Sequence, residues 1–98
     1  METFSQKLSL IKDYIKDIKN PTILELGVQE GRSTKMFLEV CDQNDGNLIS
    51  VDILDCSKVS NNPRWKFIHA SDDNFKVINQ HLNKNIDVLL IDSLHEPK

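Results

Sequence analysis

The sequence has few of the residues that define several common classes of protein. Its 98 residues include only two cysteines, Cys41 and Cys56, which lie far apart and form no CxxC motif. Two are too few for a disulfide framework or a cysteine-based zinc site, so we expect two reduced thiols. Basic residues are also in the minority, with 12 Lys and Arg against 15 Asp and Glu and a net charge of −3. This balance argues against non-specific attraction to nucleic acids or membranes.

Long apolar segments are missing as well. No signal-like segment follows Met1, and no apolar run is long enough to span a bilayer, so we expect a cytoplasmic protein. What is present is typical of a folded protein, with 39% hydrophobic and 28% charged residues. A chain of this length forms one small domain at most.

The spacing of the apolar residues alternates between helical and strand-like periods. It predicts helices at about 5–19, 32–42 and 72–85, strands at 22–28, 48–53, 65–70 and 86–92, and an irregular loop between the second and third strands. Strands that alternate with helices predict an α/β fold with a doubly wound parallel sheet. Ligands of such sheets bind beyond the carboxyl ends of the strands, so the residues that follow each strand are the candidates for a site.

The segment "ILELGVQEGRST" joins the first strand to the second helix through a turn with two glycines. Its pattern, E-x-G-x-x-x-G, places Glu25 two residues before Gly27 and ends at Gly31. It is neither the dinucleotide fingerprint G-x-G-x-x-G nor a phosphate-binding loop. A carboxylate at this position suits a cationic ligand better than a phosphate. The alternative, that the glycines only shape a tight turn, remains open.

Acidic residues follow the second and third strands. Asp52 can accept hydrogen bonds from the two hydroxyls of a ribose, and the apolar side chain of Ile53 can lie against a purine. In "ASDD", after the third strand, Ser71 or Asp72 can accept from an adenine amino group. Asp72 and Asp73 can also cap the next helix, which is the commoner role of Asp at such a position, and the two roles are compatible.

The segment "DSLHEP" follows the fourth strand. Asp92 and His95 are spaced to face one cavity, as a general base pair or as two metal ligands. Two ligands do not define a metal site, and a plain surface turn is an equal alternative. The pattern assigns no role to His69 or His81.

The signals together favour a nucleoside that carries a positive charge and no phosphate, which describes S-adenosylmethionine.

These segments resemble the motifs of the class I S-adenosylmethionine-dependent methyltransferases. The similar stretches are "LELGVQEGRST", "ISVDI", "FIHASDDNF" and "IDVLLIDSLHE", in family order across nearly the whole chain. The last is similar to the IDG-x-H ending of a subgroup of small-molecule methyltransferases, which includes sugar and antibiotic O-methyltransferases, some of them dependent on a divalent metal.

The resemblance implies a role for each matching residue. The methionine moiety would be held by Glu25, Gly27 and Gly31, with Gln29 and Ser33 close by. Asp52 would bind the ribose, Ile53 would flank the adenine, and Ser71 or Asp72 would contact the adenine edge. Asp92 would face the sulfonium and the methyl acceptor, and His95 would act as a base or metal ligand.

The family core has seven strands in the order 3-2-1-4-5-7-6, whereas this chain ends directly after the fourth strand. The resemblance therefore implies a Rossmann-like half-fold of order 3-2-1-4, and we expect a truncated fragment or a sheet completed by another copy through the fourth strand. Residues 1–98 would form a single partial domain, with an N-terminal helix at 1–20 and a cofactor-binding core at 21–98. The expected function is methyl transfer to a small molecule. The alternative is an inactive nucleoside-binding half-domain that needs a partner chain or a missing C-terminal half.

Overall fold

A computed structural model of the protein describes residues 4–28, 31–70 and 86–91. Within these ranges the elements are α1 (Phe4–Ile15), β1 (Thr22–Leu26), α2 (Arg32–Asn44), β2 (Asn47–Asp52), β3 (Trp65–His69) and β4 (Val88–Ile91). The helix predicted at 72–85 lies outside the described residues. Neither of the described helices combines the length and the apolar character that a membrane crossing requires.

The four strands form one parallel sheet in the order β3-β2-β1-β4. This arrangement confirms the predicted α/β class and strand order. The register places Glu25 of β1 beside Ser50 of β2, and Asp52 of β2 beside His69 of β3. Because all strands are parallel, their carboxyl ends meet at one edge of the sheet, and the described candidate residues of the first two strands meet there.

Apolar side chains are buried on both faces of the sheet. One cluster lies on the face that α1 and α2 cover; its buried members are Ile15, Ile23, Phe37, Leu38, Val40, Cys41 and Leu48. The opposite face carries Leu24, Ile49, Val51 and Ile68. Successive residues of a strand point to opposite faces, so consecutive apolar residues in β1 and β2 are what a sheet buried on both sides requires.

Helix α1 ends earlier than the apolar spacing predicts, at Ile15 rather than Lys19. The side-chain amide of Asn44 explains this end, because its nitrogen donates to the carbonyls of Lys16 at 2.8 Å and Ile18 at 2.9 Å. These contacts hold the following residues in a turn. Asn20 then adopts a left-handed conformation with φ of 51°, which directs the chain into β1.

Helix α2 extends to Asn44, two residues beyond the predicted end at Asp42. Asp45 takes the left-handed conformation that terminates the helix, with φ of 59°. The amide of Gly46 then donates back to the carbonyl of Cys41 at 2.9 Å, as in the Schellman type of helix end. The predicted turn "NDGN" is confirmed, although an aspartate rather than the glycine supplies the left-handed residue.

β1, β3 and β4 are shorter than predicted, whereas β2 keeps its predicted length and lies one residue earlier, at Asn47–Asp52. β1 ends at Leu26, since Gly27 has φ of 105°. Residues 53–64 contain neither helix nor strand, as predicted for the segment between β2 and β3. An irregular loop thus makes the connection between these two parallel strands.

The buried thiol of Cys41 leads to a prediction about stability. Burial raises its pKa from 9.0 to about 11, although Arg64 opposes the shift. In the unfolded chain the thiol ionises near its ordinary pKa, so the free energy of unfolding should fall as pH rises from about 9 to about 11. The measurement is chemical denaturation followed by Trp65 fluorescence at pH 8 and pH 10. Comparison with Cys41→Ala isolates the effect, and an equal loss in both proteins between the two pH values would contradict it.

Candidate functional site

The turn between β1 and α2 depends on two glycines in conformations that other residues rarely adopt. Gly27 has φ of 105° and Gly31 has φ of 88°. The amide of Gly27 donates to the carbonyl of Val51 at 2.7 Å, which ties the turn to β2. Gly31 is the N-cap residue of α2 and offers no side-chain cap. The backbone contact of Gly27 with Val51 therefore fixes the start of the turn against β2.

Gly31 is also closely packed against the loop between β2 and β3. A Cβ atom on Gly31 would lie 2.4 Å from Cγ1 of Val59, a distance shorter than any stable contact between carbon atoms. The amide of Val59 donates to the carbonyl of Cys56 at 3.0 Å, and the side chain of Cys56 is buried. The loop thus forms one wall beside the glycine turn.

Glu25 lies under the glycine turn, and its side chain is 0% exposed. Three hydroxyls donate to its carboxylate: Ser33 to Oε2, and Thr34 and Ser50 to Oε1, the last two at 2.7 Å each. Ser33 and Thr34 belong to the first turn of α2, and Ser50 belongs to β2. Buried charges are stable only when they are paired or hydrogen-bonded in this way. The carboxylate therefore joins β1, β2 and the start of α2.

The indole of Trp65 extends this network to β3. Its Nε1 donates to the Ser50 hydroxyl oxygen at 2.9 Å. An indole N–H can only donate, so Ser50 accepts from Trp65 and uses its own proton for Glu25. This order fixes the direction of each hydrogen bond, from the indole on β3 through the Ser50 hydroxyl to the Glu25 carboxylate. Among the described residues, no buried side-chain nitrogen or oxygen lacks a hydrogen-bond partner.

Asp52 is half-buried at the carboxyl end of β2. Its Oδ2 accepts from the amide of Val28 in the glycine turn at 2.8 Å, and its Oδ1 accepts from the amide of Leu54 at 2.9 Å. Asp52 therefore couples the glycine turn to the loop that follows β2.

Exposed apolar side chains stand directly beside Asp52. Ile53 is 57% exposed and Leu54 is 64% exposed. Farther along the same loop lies Asp55, where hydrogen bonds from Ser57 hold the pKa of the carboxyl below its ordinary value, with a smaller contribution from His69. This edge of the sheet thus combines apolar surface with negative charge.

Six of the residues singled out from the sequence are described, and the structure gathers them at one edge of the sheet. They are Glu25, Gly27, Gly31, Ser33, Asp52 and Ile53. The other five candidates, Gln29, Ser71, Asp72, Asp92 and His95, lie outside the described residues. Within the described ranges, no group of three or more His, Cys, Asp or Glu residues is arranged to hold a metal ion.

Sequence reasoning missed four residues that support the site: Thr34, Ser50, Val59 and Trp65. Ser50 gives a usable signal, because a polar residue inside an apolar strand needs a partner when both faces are buried. Thr34 follows Ser33 in the first helical turn and carries a similar signal. Val59 lies in an irregular loop, and no local pattern indicates that it contacts Gly31.

The chain was also compared with known proteins. A family model described as "Methyltransferase domain" matches residues 24–98. The searches of curated proteins and of solved structures gave no significant match. The matched range begins within β1 and includes the glycine turn, Asp52 and all the later candidates.

The Glu25 network predicts a marked loss of stability when its acceptor is removed. Glu25→Leu leaves three hydroxyls without their buried acceptor, and we expect a loss of at least ~2 kcal/mol in the free energy of unfolding. Glu25→Gln keeps one accepting oxygen and should cost less. Urea denaturation measures both. Glu39→Leu, at an exposed partner of Lys12, is the control and should change stability by under ~1 kcal/mol.

The contact between Gly31 and Val59 predicts that two substitutions compensate each other. Gly31→Ala should cost about 2 kcal/mol or more, because it combines a positive φ with a steric clash. In a Val59→Ala background the nearest side-chain atom would be Cβ, at 3.5 Å, which is ordinary contact. The double mutant should therefore lose less stability than the sum of the single changes. Additive losses in a thermal denaturation cycle would show that the contact is not limiting.

Proposed function

Since the chain belongs to the family of methyltransferase domains, we propose that it binds S-adenosylmethionine and serves methyl transfer to a small molecule. The observation that carries the proposal is the position of Asp52. Its half-buried carboxylate contacts the glycine turn on one side and is followed by exposed apolar residues on the other. A ribose hydroxyl pair and an adjacent purine need such a combination of acceptor and apolar surface.

The residues present fit this cofactor. Asp52 would accept from the ribose hydroxyls, and Ile53 would pack against the adenine. The glycine turn would bring backbone close to the methionine moiety, as the positive φ angles at Gly27 and Gly31 permit. The carboxylate of Asp52 would favour a ligand with positive charge.

Glu25 acts on the cofactor indirectly in this proposal. Its side chain is fully buried, and three hydroxyls contact its carboxylate. It would therefore hold the first turn of α2 in place and so position the turn around the methionine moiety. Ser33, which donates to Glu25, would help to hold the same helical turn.

Bound S-adenosylmethionine would supply an electrophilic methyl group on its sulfonium. The protein's part is to hold the two reactants at a fixed distance and angle. Asp92 and His95 remain the predicted groups on the acceptor side, with His95 as the base for a hydroxyl acceptor or, together with Asp92, as a ligand of a divalent metal. The small-molecule acceptor is proposed from the resemblance of "IDSLHE" to the fourth motif of such enzymes.

Calorimetric titration with S-adenosylhomocysteine tests the cofactor assignment. The wild-type chain should bind, and Asp52→Asn should weaken binding at least about tenfold, because an amide nitrogen cannot accept a hydroxyl proton. Asp55→Asn is the matched control. It changes an exposed carboxylate of the same loop and should bind within about twofold of wild type. Thermal denaturation of each variant separates a loss of fold from a loss of contact.

Two results would count against the proposal. Absence of binding by the wild-type chain, or equal binding by Asp52→Asn, would exclude the assignment of the cofactor to this edge of the sheet. Binding without transfer of labelled methyl groups to a pool of small metabolites would instead favour a nucleoside-binding half-domain that is inactive alone.

A further inference from the structure

His69 is the last residue of β3 and lies at the same edge of the sheet as the proposed nucleoside subsite. In the register of β2 and β3 it is the partner of Asp52. The amide of the next residue, Ala70, donates to the Asp52 carbonyl at 3.0 Å. The imidazole is exposed to solvent, so its position does not result from burial in the core.

The imidazole of His69 contacts the backbone of the loop that follows β2. Its Nε2 lies 2.9 Å from the carbonyl oxygen of Ile53. A carbonyl oxygen can only accept, so Nε2 carries the proton in this contact. On the other side, the ring of Phe67 lies nearly parallel to the imidazole, with 6.3 Å between ring centroids and 24° between planes. The ring is therefore held in place by its strand and directed at one peptide group.

That peptide group is also the one that Asp52 binds. The carbonyl of Ile53 and the amide of Leu54 belong to the same peptide unit, and Leu54 donates to Asp52 Oδ1 at 2.9 Å. A peptide unit is planar, so fixing its carbonyl on one side and its N–H on the other fixes its orientation. Its orientation in turn determines where the exposed side chain of Ile53 points and where the Asp52 carboxylate is held.

We propose that His69 is a positioning residue of the nucleoside subsite, which holds the Ile53–Leu54 peptide so that Asp52 and Ile53 are preorganised for a ribose and a purine. This inference rests on the proposed function. It assigns to His69 a role in the binding of the nucleoside part of the cofactor, and none in contacts with its amino-acid part. An exposed histidine in a merely structural role would change stability and leave ligand affinity unaltered.

Two amide substitutions at His69 test the proposal because they differ mainly in reach. The amide nitrogen of His69→Gln can occupy nearly the position of Nε2, whereas that of His69→Asn falls short of the Ile53 carbonyl. Since the site is exposed, both variants should fold, and thermal denaturation checks this. Lys66→Gln, at an exposed position on the opposite face of β3, is the control.

The readout is calorimetric affinity for S-adenosylhomocysteine and for 5′-methylthioadenosine, which lacks the amino-acid part. We expect His69→Asn to weaken the binding of both ligands by the same factor, about five- to tenfold. His69→Gln should recover most of the affinity, and Lys66→Gln should bind as the wild type does.

The other outcomes would contradict either the positioning role of His69 or the cofactor assignment. If the wild type binds both ligands and His69→Asn binds equally well, or if Asn and Gln lose affinity equally, the positioning role is wrong and the cofactor assignment stands. If His69→Asn weakens only S-adenosylhomocysteine, His69 acts on the amino-acid part and the proposal also fails. If the wild type binds neither ligand, the proposed function fails and this inference fails with it.

Discussion

The arrangement of the site depends on one buried carboxylate. Glu25 has no exposed surface, and it accepts hydrogen bonds from hydroxyls on α2 and β2. Leaving such a charge without partners would cost several kcal/mol, so the start of α2 and the middle of β2 must stay where their hydroxyls reach it. The glycine turn runs between β1, which carries Glu25, and the helix start that Glu25 holds. The two elements that the turn joins are therefore held together by this carboxylate.

A second carboxylate, that of Asp52, constrains the part of the site that lies nearer to solvent. Asp52 binds the amide of Val28 on one side and that of Leu54 on the other. The glycine turn and the loop after β2 therefore share one support, and neither can shift without the other. The inner carboxylate is buried and accepts from three hydroxyls, whereas the outer one is half-buried and accepts from backbone amides. Similar residues at the ends of neighbouring strands thus have different tasks because their surroundings differ.

The resemblance implied the order of the strands. The gathering of Glu25, Gly27, Gly31 and Asp52 could be predicted, because apolar periodicity sets the elements and a parallel sheet brings strand ends together. The carboxyl ends of the helices could not be predicted in this way. Helix α1 stops just before Lys16 and Ile18, whose carbonyls accept from the side chain of Asn44, far along the chain. The local spacing of apolar residues does not indicate that contact. The resemblance gave Glu25 a role at the ligand, but only the structure shows the three hydroxyls around it. The contact of His69 with Ile53 was missed for a similar reason, since its partner is a backbone carbonyl, which any residue provides.

The close approach of Val59 to Gly31 has an evolutionary consequence. The space that a side chain at position 31 would need is taken by a methyl group from a distant loop. Even with that methyl removed, the left-handed backbone would still favour glycine. Position 31 is therefore free to vary only in relatives where residue 59 is small and the turn is rebuilt. Among homologues, the two positions should change together, and a bulky residue at 59 should be found only with glycine at 31.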